Sequence, residues 1–496
     1  MRGARLHLLA AAVGASLLIA GIQASTAPAR KADDTLRVFI GGEPNIDPIV
    51  GSRAGQWVWG TFLDPLIAIG PRGNLLKTGV ITNWTHPDPL TWRFTVRPGV
   101  RFTDGEPGNA VAVADTIGLN KAPGAILSTF FQNVRSIRAP NATTVVVRTA
   151  RPQFDFAQVL TAIYLMPPKY YKQVGSAGFR NAPIGSGPFK VDSVQPGIGI
   201  SVSPNPGYWG TKPSIGIDFS YAPDPEQRLA LVESGAADVA LELSPAEGLS
   251  AAEAKLKVLR VATAQKLMLY VFTGQAPLND IDLRRAIALA IDRNAIVKGI
   301  FQNRYQANGS LMDVFPGQKA TVSVAPNPTA ARALVKGSPT VTLDYPTDRY
   351  VDMPEVAQAI AAMLENVGIN VTLVPEPYAT GIAKMLQGQM SGLLLTGLVP
   401  NVPDPNYPAQ VLLTKTSVSR NCVDHRFDSL TAAALAKPNI AAAQPLYDRM
   451  DKLAVVDLAC FVPLYWAVAY VAMSNDVNGL VLTPLNALYL DKVTKG

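Results

Sequence analysis

Between residues 340 and 374 the apolar positions change period twice. Val341 to Tyr345 is a short β-branched and aromatic run, closed by Pro346 and Asp348, residue types that end strands and open loops. Val356, Ala359, Ile360, Met363 and Leu364 then recur at helical spacing, and Ile369 to Val374 forms a second strand-like apolar run. Pro354 suits a first helical turn because its missing N–H has no intrahelical partner there, and Gly368 supplies a left-handed stop. The pattern predicts a strand, a crossover helix and a second strand, parallel and right-handed. Parallel sheets bind ligands at the carboxyl ends of their strands, which makes Thr347 to Val351 a candidate ligand loop. In it, Arg349 offers a bidentate fork to a carboxylate or phosphate, with a structural ion pair as the alternative role.

The same reading applied along the chain gives further strands at Leu36–Ile40, Leu90–Val96, Thr144–Arg148, Lys190–Val194, Gly199–Ser203, Ala237–Leu241 and Phe461–Ala472. Helices are predicted near Asn109–Gly118, with Asn109 as N-cap, at Glu226–Gly235, and near Gln444–Leu458. The strongest helical pattern runs from Leu283 to Phe301, capped by Asp282 and apolar most of the way round, as in a helix packed on several sides. Tyr350, Tyr407, Trp57 and Trp59 could stack on or hydrogen-bond to a ligand, with packing as the alternative for each. No internal repeat stands out.

The length of 496 residues implies more than one domain. Arg2 and Arg5, an apolar run from Leu8 to Ile22, and small residues from Ala24 to Ala29 have the layout of a secretory signal, residues 1–24, cut between about 24 and 29. An uncleaved anchor is the alternative, but the run is shorter than the ~20 apolar residues a span needs. No cysteine lies near the cut to carry a lipid, so a periplasmic protein is expected. Cys422 and Cys460, an even count in an exported chain, suggest one disulfide, with two buried thiols as the alternative.

The formal charge of +7 becomes +5 once Arg2 and Arg5 leave with the signal, and no Lys/Arg cluster marks a nucleic-acid footprint. Three histidines, His7, His86 and His425, supply a metal site or a histidine-activated nucleophile poorly. Ser186 lacks the spacing of a nucleophile elbow, and Gly197 and Gly199 lack the rest of a dinucleotide fingerprint. These absences argue against an enzyme and leave no cofactor to expect.

Several motifs in register, RPGVRFTDGEP (97–107), GSGPF (185–189), NPGYWG (205–210), LRRAIALAIDR (283–293) and DPNYP (404–408), resemble the extracellular solute-binding proteins of family 5. These are the oligopeptide, dipeptide and nickel receptors of ABC importers. The resemblance implies an α/β, two-lobed periplasmic-binding-protein fold of the cluster C type, with an extra subdomain in the first lobe. Mapped here, lobe I takes 33–60, 184–268 and 475–496, the inserted subdomain 61–183, and lobe II 269–474. Crossings near Leu269–Thr273 and Val471–Asn475 would be the hinges. The implied partners are a peptide or other small solute and an inner-membrane ABC permease with its ATPase, the receptor itself acting as a monomer.

In peptide-binding relatives the loop matching 397–408 carries an aspartate for the peptide amine. Aligned on Asp404-Pro405, that place falls on Asn401, and the tryptophan place after the glycine falls on Leu398. An amide holds a buried ammonium less well than a carboxylate does, so both residues open the alternative of a non-peptide solute such as an opine, a sugar conjugate or a metal chelate. Asp404 is expected to brace the turn. A sensor that hands its closed form to a membrane signalling partner is the remaining alternative.

Overall fold

The computed structural model describes residues 35–51, 55–70, 73–316, 322–350 and 352–496; the expected leader lies outside the described residues. The unit at 340–376 forms as its pattern predicts. Thr340–Pro346 pairs in parallel with Asn370–Glu376, and the helix Met353–Glu365 crosses between them. Val356, Ile360 and Leu364 of that helix are buried in one core with Leu343 and Leu393, while Gly368, at φ +93°, makes the stop that an L side chain would strain.

Among the described residues the main sheet has eleven strands, ten of them in line and the eleventh, Gln306–Ala307, paired off the line with Phe461–Met473. In chain order the ten are β1 Thr35–Ile40, β2 Phe189–Gln195, β3 Gly199–Pro204, β4 Gly216–Tyr221, β5 Val239–Leu243, β6 Lys257–Val271, β7 Thr340–Pro346, β8 Asn370–Glu376, β9 Leu393–Leu398 and β10 Phe461–Met473. Their order in space is β8-β7-β9-β6-β10-β5-β1-β4-β3-β2. On the division that the resemblance implies, the left half falls to lobe II and the right half to lobe I, and the long pair β6 and β10 runs through both. β6 meets β9 over Lys266–Val271, whereas β10 meets β5 over Tyr470–Met473. Between these stretches the β6/β10 register shifts, from Ala262 to Lys266. Residues 269–271 of the expected Leu269–Thr273 crossing pair with β9.

A second, four-stranded antiparallel sheet occupies the insert, in the order Ile81–Asp88, Thr91–Val96, Thr144–Thr149, Val134–Asn141. Its inner face packs Phe94, Val145 and Val147 against Ile117 of the helix Ala110–Lys121, which Asn109 caps as expected by accepting from Val111 N and Ala112 N. Gly185 and Gly187 seat the return from the insert to lobe I: a Cβ at Gly185 would lie 1.8 Å from Phe62 O, so only glycine fits.

One helix departs from its expectation. The run from Leu283 to Phe301 is two helices, Ile281–Ala290 and Arg293–Gly299, broken at Ile291, which is extended. Asp292 breaks it: its carboxylate accepts from Asn294 N and Ala295 N, satisfying orphan donors at a new start. Asp280, rather than Asp282, caps the first piece. Cys422 and Cys460 form a disulfide with Cα atoms 5.6 Å apart.

Candidate functional site

On lobe II, the loops leaving the carboxyl ends of β7, β8 and β9 converge. Tyr350 donates its hydroxyl to Gly397 O at 3.3 Å, and its ring meets that of Tyr378 edge to face at 6.0 Å. Asp348 draws the β8 loop in by accepting from Tyr378 N at 2.7 Å. Arg349 rests against both rings, 5.8 Å from the centre of Tyr350 and 5.4 Å from that of Tyr378. Its side chain keeps exposed surface while protein surrounds it on most sides, as in a crevice.

Burial lowers the affinity of Arg349 for its proton, but Tyr350, Glu242 and Tyr378 outweigh burial and hold the pKa above the ordinary value. Glu242 belongs to lobe I. It sits at the irregular step between Ala240 and Leu243 of β5, with φ +56°, and its carboxylate accepts from Gly41 N at 2.8 Å. Arg349 thus feels a carboxylate across the lobes but makes no ion pair among the described residues, which leaves its fork available to an anionic group.

On lobe I, the helix Gln56–Phe62 carries both tryptophans, and the two differ. Trp57 donates Nε1–H to Asn486 O at 2.7 Å and is buried in the lobe I core, its one polar side-chain atom spent on the fold. Trp59 is 5 % exposed and its Nε1 has no acceptor. It lines a small crevice, partly open to solvent, together with Gln56, Leu127 and Tyr164 from lobe I and its insert and Asn401 from lobe II. Gln56 donates to Tyr164 Oη at 2.6 Å, and the Tyr164 ring meets Trp59 edge to face at 6.1 Å. No charged side chain is among the described residues of this lining.

Asn401 and Arg349, the two sequence candidates with polar recognition chemistry, therefore stand on neighbouring loops of one sheet end. Tyr407 does not join them. It is 7 % exposed, stacks on Phe130 of the insert at 5.7 Å and belongs to the insert's core, a packing role. Leu398 is half-buried at the same contact. Asp404 braces its turn as expected, accepting from Asn406 N at 2.8 Å. Sequence reasoning passed over Tyr378, although the rule that singled out Thr347–Val351 applies equally to the end of β8. It had no signal for Glu242, Gln56 or Tyr164, whose relevance depends on which module faces which.

The model of the bacterial extracellular solute-binding proteins, family 5 Middle, matches residues 75–420. A protein named as an ABC transporter peptide-binding protein from Brucella ovis is 25% identical over 487 residues, covering 90% of this chain and 89% of that one. Among solved structures, the dipeptide-binding protein of Pseudoalteromonas sp. SM9913 in complex with Met-Leu superposes with a TM-score of 0.82 at 20% identity, covering 93% of this chain and 100% of the other. The periplasmic binding protein AgaA of A. tumefaciens R10, in complex with agropinic acid, does so with a TM-score of 0.82 at 21% identity, covering 93% and 99%. The last two show a shared fold. With most of its length under one family model, the chain belongs to the bacterial extracellular solute-binding proteins of family 5.

Proposed function

We propose that this chain is the periplasmic substrate-binding protein of an ABC importer, that it captures a peptide or peptide-like small solute between its lobes, and that it delivers the solute to a membrane permease. Lobe I is taken as 33–60, 184–268 and 475–496, its insert as 61–183, and lobe II as 269–474. The observation that carries the reading is unmet chemistry on both lobes: a guanidinium, Arg349, without an ion-pair partner among the described residues of lobe II, and an indole N–H, that of Trp59 in the crevice, without an acceptor on lobe I. A guest with a carboxylate at one end and a carbonyl at the other supplies what each lacks, and only a closed form offers both contacts at once. The peptide-binding name of the Brucella relative and the Met-Leu complex support this class of guest.

A second reading is favoured by Asn401 and by the neutral lining around Trp59. A peptide's free ammonium finds no carboxylate there, so an acidic solute without a free amine, such as the opine held by AgaA, fits the same groups. Native mass spectrometry of protein purified from its periplasm without denaturation tests both. A retained di- or oligopeptide mass supports the first, a retained non-peptide acid the second, and failure of any solute to be retained or to bind when supplied would remove the transport reading.

A further inference from the structure

The insert and lobe II touch at a place that the crevice does not use. Asp155, which begins the short helix Phe156–Val159 of the insert, and Asp404, from the loop after β9, are both 0 % exposed. Asn406 Nδ2 donates to Asp155 Oδ2 at 2.6 Å, tying the two modules together. Around this bond Phe130 stacks on Tyr407, and Phe154 N donates to Leu435 O at 3.2 Å. The groups facing the two carboxyls are Asn406 and Gln153, both neutral, and the phenol of Tyr447 on the helix Ile440–Lys452. No lysine, arginine or histidine among the described residues pairs with either. Asp155 Oδ1 and Asp404 Oδ2 are buried without a hydrogen-bond partner.

Two carboxylates sealed from water with no cation cannot both stay ionised. One proton on the pair removes the repulsion and gives an orphaned oxygen a hydrogen to donate. Burial raises the pKa of both, Asp155 to about 6 and Asp404 to about 8, the latter further raised by repulsion from Asp155. If the lobes part, the contact between the insert and lobe II opens and both carboxyls return to the ordinary range near 4.

We propose that closing of the two lobes takes up one proton from solvent onto the buried carboxyl pair, Asp155 of the insert and Asp404 of lobe II, so that acidity favours the closed receptor. This rests on the reading of a receptor whose lobes move. The sign follows from linkage: the closed form binds more protons than the open one, so closure is most favoured at low pH and weakens as pH rises. Between about pH 6 and 8, where the closed pair holds one proton and the open carboxyls none, the closed-to-open ratio changes about tenfold per pH unit.

The test uses the full mature chain without any solute, so its outcome is separate from whether a peptide or another acid is the guest. Small-angle scattering is recorded from pH 5.5 to 8.5 for the parent, Asp404→Asn, Asp155→Asn and the double variant. The expected result is a radius of gyration that grows with pH in the parent, grows less in each single variant, whose remaining buried carboxyl still titrates, and stays small at every pH in the double variant. A parent radius that does not change with pH overturns the proposal, as does a pH dependence that persists undiminished in the double variant. If the double variant fails to fold, a dependence in both single variants as steep as the parent's overturns it.

Discussion

Replacing Trp59 with phenylalanine separates recognition from packing, because it keeps an aromatic ring attached at the same place and removes the N–H together with the outer part of the indole. In the solute-free chain that N–H is buried without an acceptor, a state that costs roughly 1–3 kcal/mol. Losing part of a well-packed indole costs a similar amount, on the order of 1–2 kcal/mol. The two nearly cancel, so the stability of solute-free Trp59→Phe should stay within about 1 kcal/mol of the parent by chemical denaturation. Binding does not cancel. If the guest supplies the acceptor, the parent gains a bond that the variant cannot make, and affinity for the retained solute should fall by about 1–3 kcal/mol, or roughly 5- to 150-fold. Titration calorimetry with the solute identified by native mass spectrometry reads this directly. Unchanged affinity together with a stability loss of about 3 kcal/mol or more, as for a core deletion, would show that Trp59 only packs and would refute the reasoning.

Three other changes have definite signs. Arg349→Met should leave stability nearly unchanged, since Arg349 makes no ion pair among the described residues, yet weaken a carboxylate-bearing solute by about tenfold or more; equal affinity would remove Arg349 from the site. Replacing Cys422 and Cys460 together with serine opens a cross-link with a sequence separation of 38, and chain entropy sets the loss at about 4 kcal/mol; a loss under about 1 kcal/mol in urea unfolding would contradict it. Asp64 is buried under Ser186, Tyr208 and Trp209, and burial lifts its pKa to about 6. Its folded value is the higher one, so its contribution is full below the unfolded value near 4 and fades as pH rises through 6. Asp64→Asn should therefore gain on the parent by about 2 kcal/mol between pH 4 and 7, and a constant difference across that range would disprove the assignment.

The main sheet was legible where local signals agreed. At 340–376 the strand period, Pro354 and Gly368 all point to one arrangement, and each takes up the expected conformation. At 283–301 they conflict: Asp292 occupies a position in a helical pattern but also carries the side chain best suited to start a new helix, and capping prevails. Trp57 and Trp59 are two positions apart on one short helix, and nothing local distinguishes them. What does is the company brought by distant segments, Asn486 for one and Tyr164 with Asn401 for the other. The Asp155–Asp404 contact lies beyond sequence reading for the same reason, since its bridging bond joins residues 251 apart in the chain. Arg349 was found because the carboxyl end of a parallel strand is a position that a local pattern can define.

Closure of two lobes over a guest is tested most directly by scattering on matched samples. Protein purified without denaturation, retaining its solute, is compared with the same protein stripped by unfolding and dialysis, at one pH and one salt concentration. The stripped sample should show the larger radius of gyration and return to the smaller one when the identified solute is added back. Superimposable profiles in all three samples, with the solute bound in two of them, would contradict closure.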